Sequence, residues 1–304
     1  MRVLGRGGLG AGVHAGLVRL MRPIIGPCPD HLSHSQISAL VPSREGSCAL
    51  RWSFERRLRL PSPGSLSMEL GSALDAGLNE YLMPALAGRP LDLDRGVETL
   101  WGRVGMIPDD LADEATRKLE GAALEVALRA FAERHPDWHG QDVQQRFEVE
   151  YRGVKIVGVI DRVDASGEIV DHKLTRSQRR KGQVLDPEWL GERRPQLALY
   201  LACAALAEGQ PVGTRTKAAL EVCYASARLA TPQWTYEAME IPSAEQQAAL
   251  EDAVTASVIA ASGVYPAHPG RHCGWCEHTV ACQQVMSMMA LDISAVSKAL
   301  EDEG

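Results

Sequence analysis

The chain has 304 residues, 45% hydrophobic and 23% charged, with a formal net charge of −7 at pH 7. That composition excludes a disordered or fibrous chain and supplies a core for one large domain or two small ones. No run of roughly eighteen apolar residues marks a membrane span, and seven cysteines, an odd number, do not read as a secreted disulfide framework. The expectation is a cytoplasmic protein with no membrane partner. The acidic balance does not announce a nucleic-acid binder, but such binding depends on local patches.

Residues 1–30 hold seven glycines and four arginines and no acid before Asp30, which predicts a poorly ordered N-terminal extension. The same bias fits a mitochondrial transit peptide, or a start at Met21. Ser33 or Ser35 can cap a short helix carrying Ile37, Ala39 and Leu40. Cys48, Trp52 and Phe54 follow in a stretch made basic by Arg51, Arg56, Arg57 and Arg59. Met68 to Leu86 reads as a helix with Gly71 and Asp75 on one face, where the glycine would let another backbone approach closely. Pro108 to Arg134 is predicted as a long helix, acidic at its start (Asp109, Asp110, Asp113) and basic at its end, closed by His135 and Pro136. Gln144 to Tyr151 alternates like a half-buried strand, Arg152-Gly153 turns it into Val154 to Ile160, and a three-stranded meander follows.

The third strand of that meander gives the chain its chemistry. Gly158 to Thr175 reads as two short strands turned at Ser166-Gly167. On a strand, residues two apart share a face, so Ile169, Asp171 and Lys173 point one way and Val170, His172 and Leu174 the other. Asp161 ends a matching row with Val157 and Val159. Two carboxylates can hold a divalent cation, and a lysine beside them can orient or deprotonate a water. Taken alone, Asp-x-Lys is more often a solvated charge pair on a strand edge. Basic residues follow at Arg176, Arg179, Arg180 and Lys181, then Arg193 and Arg194. Glu188 to Glu208 is helical, with Gln196 and Tyr200 four apart. Lys217 to Ser226 and Gln233 to Ile241 read as strands, and Ser243 with Gln246 as a capping box for a helix to Ala261.

Near the end, Cys273, Cys276 and Cys282 stand as C-x2-C-x5-C, with Gly274 easing the tight loop. They supply all but one ligand of a tetrahedral site or a cubane cluster. Cys48 and Cys28 are candidates for the fourth ligand, whereas Cys203 in a helix and Cys223 in a strand read as buried free thiols. His272 and His278 keep zinc open beside iron–sulfur.

In order and spacing these pieces resemble the RecB-like exonucleases of the PD-(D/E)xK superfamily, in particular its iron–sulfur branch with the CRISPR-associated nucleases. The likeness runs from Ser33 to Cys282. Gly71 to Asp75 is similar to that family's glycine-x3-histidine motif, Gly158 to Asp161 to its second motif, and Ile169 to Lys173 to its third. Gln196 to Tyr200 resembles its glutamine-x3-tyrosine motif, and Cys48 with the final trio its cluster cysteines.

The resemblance implies an α/β, restriction-endonuclease-like fold: a mixed central sheet flanked by helices, spanning 31–290, with a helical insertion at about 76–140 and a C-terminal clasp. Residues 291–304 would be a tail. It implies metal-dependent DNA hydrolysis on single strands or duplex ends. Mg²⁺ or Mn²⁺ would be held by Asp75, Asp161, Asp171 and the His172 carbonyl, with Lys173, Gln196 and Tyr200 completing the catalytic group. Cys48, Cys273, Cys276 and Cys282 would bind a [4Fe–4S] cluster, zinc being the alternative. Recombination, helicase or CRISPR adaptation proteins are the implied partners.

Two departures stand out. Asp75 replaces the family's histidine, and as a harder ligand it favours Mg²⁺ or Mn²⁺ over softer metals. Leu174 separates Lys173 from the usual threonine. Asp75 also motivates the alternative of a catalytically impaired DNA-binding adaptor.

Overall fold

A computed structural model describes residues 28–42, 46–62, 64–176, 180–181, 184–229 and 231–287. The expected extension up to residue 27 and the tail 291–304 lie outside the described residues. The chain divides into two compact units, Met1–Ser62 with Val254–Gly304, and Pro63–Ala253.

In the first unit, helix α1 (His34–Leu40) starts where Ser33 predicts, and the Ser33 N–H donates to Gln36 Oε1 at 3.2 Å. Helix α2 (Ala49–Arg56) was not anticipated, because its basic sequence hides the short apolar stripe. Trp52 and Phe54 are nevertheless buried, Trp52 against Tyr265 and Phe54 edge-on to His278. Cys48 caps α2, its Sγ accepting the Arg51 N–H at 3.5 Å. The Leu50 N–H donates to the Pro266 carbonyl, bringing the C-terminal segment alongside. That segment carries a 3-10 turn, Arg271–Trp275, and a helix over 279–287.

The second unit begins with helices α3 (Leu66–Leu86), α4 (Leu93–Gly105) and α5 (Glu114–Arg134). Close packing of α3 on α4 falls at Gly77 and Gly96: a Cβ on Gly96 would sit 2.8 Å from the Gly77 carbonyl oxygen. The close approach expected at Gly71 is absent, since nothing lies within 4 Å of the place its Cβ would take. Helix α5 starts at Glu114 rather than Pro108. Asp113 accepts the Thr116 N–H at 2.7 Å and so caps it, while Pro108–Ala112 makes a separate turn whose Ala112 carbonyl accepts from Arg117.

Strands β1 (Gly140–Tyr151), β2 (Val154–Asp164) and β3 (Ile169–Thr175) form the predicted antiparallel meander. Arg152 and Gly153 both take positive φ (49° and 76°), as a two-residue hairpin turn requires. A ribbon of β4 (Arg180–Lys181) and β5 (Val184–Leu185) precedes helix α6 (Pro187–Ala207). The helix lets β6 (Lys217–Tyr224) return parallel to β3, and β7 (Gln233–Glu240) closes the edge. The result is a mixed α/β fold whose five-stranded sheet runs β1-β2-β3-β6-β7.

Each face of the sheet has its own cover. Leu174, Cys223 and Trp234 pack with Leu78 of α3 and with Leu128 and Phe131 of α5. On the opposite side α6 approaches β1, with Tyr200 edge-on to Phe147 at 5.6 Å. Helix α7 (Ser243–Ser262) begins at Ser243 without the predicted capping box. The Gln246 amide is drawn inward instead, donating to the Arg215 and Ile241 carbonyls and accepting from the Gly213 N–H.

Candidate active site

Asp161 and Asp171 sit opposite one another on β2 and β3, one step beyond the Arg162–Val170 pair, so their side chains share a face. Lys173 follows on the same face, its Nζ 2.7 Å from Asp171 Oδ2. From α6, Gln196 donates through Nε2 to Asp171 Oδ1 at 2.9 Å and to the Tyr200 hydroxyl at 3.0 Å. Asp75 enters from α3, where Asn79 one turn on donates to its Oδ2 at 3.2 Å. The structure therefore brings together Asp75, Asp161, Asp171, Lys173, Gln196 and Tyr200.

Electrostatics couple the members of this group. Burial pushes the Asp161 carboxyl well above its ordinary range, and the charges of Asp171 and Asp75 push it further. Asp75 is raised by burial and by Asp171, against the hydrogen bond from Asn79 and the attraction of Lys173. Asp171 is raised by burial in spite of Lys173. Three carboxylates crowded in one dry place cannot all ionise without a counter-charge. Asp75 Oδ1 is buried and has no hydrogen-bond partner. One oxygen each of Asp75 and Asp161 and a ring nitrogen of His172 lie within 4.8 Å of one another. Hard oxygen donors with an open lone pair fit a magnesium- or manganese-type ion.

His172 serves a second arrangement. Its backbone N–H donates to Asp161 Oδ2 at 2.8 Å, while its ring turns towards Arg162, 3.5 Å away. Arg162 pairs with Glu221 at 2.7 Å, and Glu221 also meets His135 Nε2 at 2.9 Å. Burial, then the Arg162 charge, lowers the His172 pKa to about 3, which keeps the imidazole neutral. This network was missed in the sequence, although a glutamate inside the apolar run Lys217 to Tyr224 was a readable signal.

Two further residues were missed at the site itself. Asn79 was readable as the position four beyond Asp75. Gln144, whose Nε2 lies 3.4 Å from Asp75 Oδ2, takes φ of 57° within β1, and no side-chain pattern announces that. The basic patches divide. Arg176 pairs with Glu120 and Arg194 with Glu245, so neither is free for a phosphate backbone. The side chains of Arg179, Arg180 and Lys181 lie outside the described residues.

The cysteines fall in the first unit. Burial raises the Cys282 thiol, and the charges of Cys48, Cys273 and Cys276 each raise it further. The Gly270 N–H donates to Cys273 Sγ at 3.4 Å, and Cys48 Sγ accepts from Arg51. Cys203 and Cys223 are buried elsewhere, as free thiols. His278 Nε2 is turned towards Glu55 and Glu277, 3.8 and 3.9 Å away. Among the described residues no helix is long and apolar enough to cross a membrane.

A mixed sheet that presents two facing carboxylates and a lysine on adjacent strands defines a phosphodiester-cleaving class of site. Residues 31–283 match the PD-(D/E)XK nuclease superfamily, and the chain belongs to it. The fold is similar to the crystal structure of a presumed exonuclease from Eubacterium rectale, with a TM-score of 0.51 and 15% identity over 91% of this chain and 94% of that one. A structure of SSO0001 is 16% identical over 71% of this chain and 95% of that chain, with a TM-score of 0.32. No curated protein matches the sequence.

Proposed function

We propose that the protein is a metal-dependent deoxyribonuclease acting as an exonuclease on single-stranded DNA or duplex ends, in the manner of the RecB-like branch. The observation that carries the reading is the meeting of Asp161 and Asp171 on adjacent strands, with Lys173 in contact with Asp171 and Asp75 beside Asp161. Asp75, Asp161, Asp171 and the His172 carbonyl would hold Mg²⁺ or Mn²⁺. Such an ion lowers the pKa of a bound water and offsets charge that builds on the phosphoryl oxygens.

The remaining chemistry belongs to the chain. Lys173, with 27% of its side chain exposed, can turn from Asp171 to orient the attacking water. Gln196 fixes Asp171 Oδ1, which limits the ways that carboxylate can rotate, and Tyr200 holds Gln196 in turn. Asp161 is held by the His172 N–H. These contacts pre-set the site before substrate arrives.

The thiols of Cys48, Cys273, Cys276 and Cys282 would hold a [4Fe–4S] cluster. The mutual electrostatic influence of the four thiols, two of them accepting backbone N–H bonds, supports that assignment, with zinc as the alternative. The cluster would serve structure rather than catalysis.

The test is cleavage of end-labelled single-stranded DNA with Mn²⁺, wild type against Lys173→Ala. The wild type should cut and the variant should lose at least two orders of magnitude in rate, the usual range for a positioned proton-transfer group. Equal cutting by both proteins would refute the site, and no cutting by the wild type on any DNA would favour an adaptor. Iron and acid-labile sulfide in anaerobically purified protein, lost in Cys276→Ser, test the clasp; zinc in their place would overturn it.

A further inference from the structure

Arg193 stands one turn ahead of Gln196 on α6 and two turns ahead of Tyr200, so the three follow one stripe of the helix. Its guanidinium carbon lies 5.4 Å from the centre of the Trp189 ring, and Trp189 is itself buried. The indole thus holds the guanidinium head in one place. Its Nε is buried with no hydrogen-bond partner, and among the described residues no carboxylate pairs with it. Asp171 nevertheless feels its charge. The neighbouring arginines are different: Arg162, Arg176 and Arg194 are neutralised by Glu221, Glu120 and Glu245.

A buried guanidinium N–H without an acceptor is costly, and a water, ion or ligand oxygen would satisfy it. Charge balance points the same way. Fully ionised, Asp75, Asp161 and Asp171 set three negative charges against the one positive charge of Lys173. A single divalent ion only cancels the excess. A phosphodiester would then meet a site with no net attraction, unless a further cation contributes.

We propose that Arg193 is a phosphate-binding residue of this site, its guanidinium taking a non-bridging oxygen of the phosphodiester at or next to the scissile bond. The arginine does for the substrate what a second divalent ion does in sites with two metals, and its planar fork suits phosphate oxygens. The inference rests on the nuclease reading and adds to it the group that recognises the substrate's charge.

The experiment measures binding rather than cleavage. A fluorescent single-stranded oligonucleotide is titrated with protein in Ca²⁺ at several salt concentrations, using wild type, Arg193→Met and Arg193→Lys. Methionine keeps an unbranched apolar side chain beside Trp189 and removes the charge. Its affinity should fall about ten- to a hundredfold, as for a lost hydrogen bond to a charged group, and its salt slope should fall by about 0.7, the share of one phosphate contact on a single strand. Arg193→Lys should keep the slope, and the Tm of both variants should stay near that of the wild type. The inference is overturned if wild type binds and cuts while Arg193→Met matches it in affinity and slope. It is equally overturned if Arg193→Met loses affinity with an unchanged slope and a lowered Tm, which is the mark of a structural role. A wild type that neither binds nor cuts DNA would overturn the nuclease reading, and this inference with it.

Discussion

Glu221 and Arg162 form an ion pair at 2.7 Å with side chains 0% and 1% exposed. The pair lies behind β3, on the opposite face from Asp171, and reaches the ring of His172. Burial pushes the Glu221 carboxyl up, but the His135 hydrogen bond and the Arg162 charge outweigh it and hold the pKa down to about 2. The group therefore stays ionised at neutral pH. Its contribution to stability is fully present above the unfolded carboxylate pKa of about 4.3 and is lost as pH falls through about 2. Replacing Glu221 with glutamine leaves the buried Arg162 charge to Asp164 alone, 2.9 Å from its Nε. The expected loss is about 1.5–3 kcal/mol, that of a hydrogen bond between charged groups, read as a lower urea midpoint at unchanged m-value. A variant as stable as the wild type would show that water reaches Arg162.

Gly158 faces Phe147 across the β1–β2 pair, and a Cβ there would fall 2.3 Å from the ring. Phe147 in turn touches Tyr200, which hydrogen-bonds Gln196. Alanine at Gly158 must displace the ring, and overpacking of this kind costs about 1–3 kcal/mol. The displacement should pass along Tyr200 and Gln196 to Asp171, so cleavage should slow more than the stability loss explains. Gly158→Ala with Phe147→Leu should recover part of both, and additive losses in the double variant would exclude the coupling.

Without a divalent ion, the raised carboxylates make the protein less stable as pH rises. The unfolded aspartates ionise near pH 3.9, whereas folded Asp161 keeps its proton to well above that, so over this window the folded state binds more protons. Stability in EDTA should therefore decline from about pH 4 upward, as Tm measurements would record. Asp161→Asn should flatten the decline. Mn²⁺ should raise Tm more at pH 8 than at pH 5, because binding must release those protons. A Tm in EDTA that climbs steadily over the same range would contradict the crowding of the three carboxylates.

The sequence by itself determined a good deal of this. Period-two alternation and the Arg152-Gly153 turn placed the meander and the side to which Asp161, Asp171 and Lys173 point. Helical spacing put Gln196 and Tyr200 on one face, and the order of the motifs pointed to the superfamily. Local rules suffice for these features, because a strand or a helix fixes its own side-chain directions.

Local rules failed where a residue's partner lies far along the chain. The α2 helix is stabilised by Tyr265 and His278, more than two hundred residues away. Close helix packing moved from Gly71 to Gly77 because Gly96 is what meets it. Gln246 left its cap for three backbone groups brought to it by folding. Among the basic residues of one loop and helix, only the fold decided which were spent on glutamates and which, in Arg193, kept a charge for a ligand. Pairing of charges is a long-range property, set by which surfaces exclude water together, and no spacing along the chain encodes it.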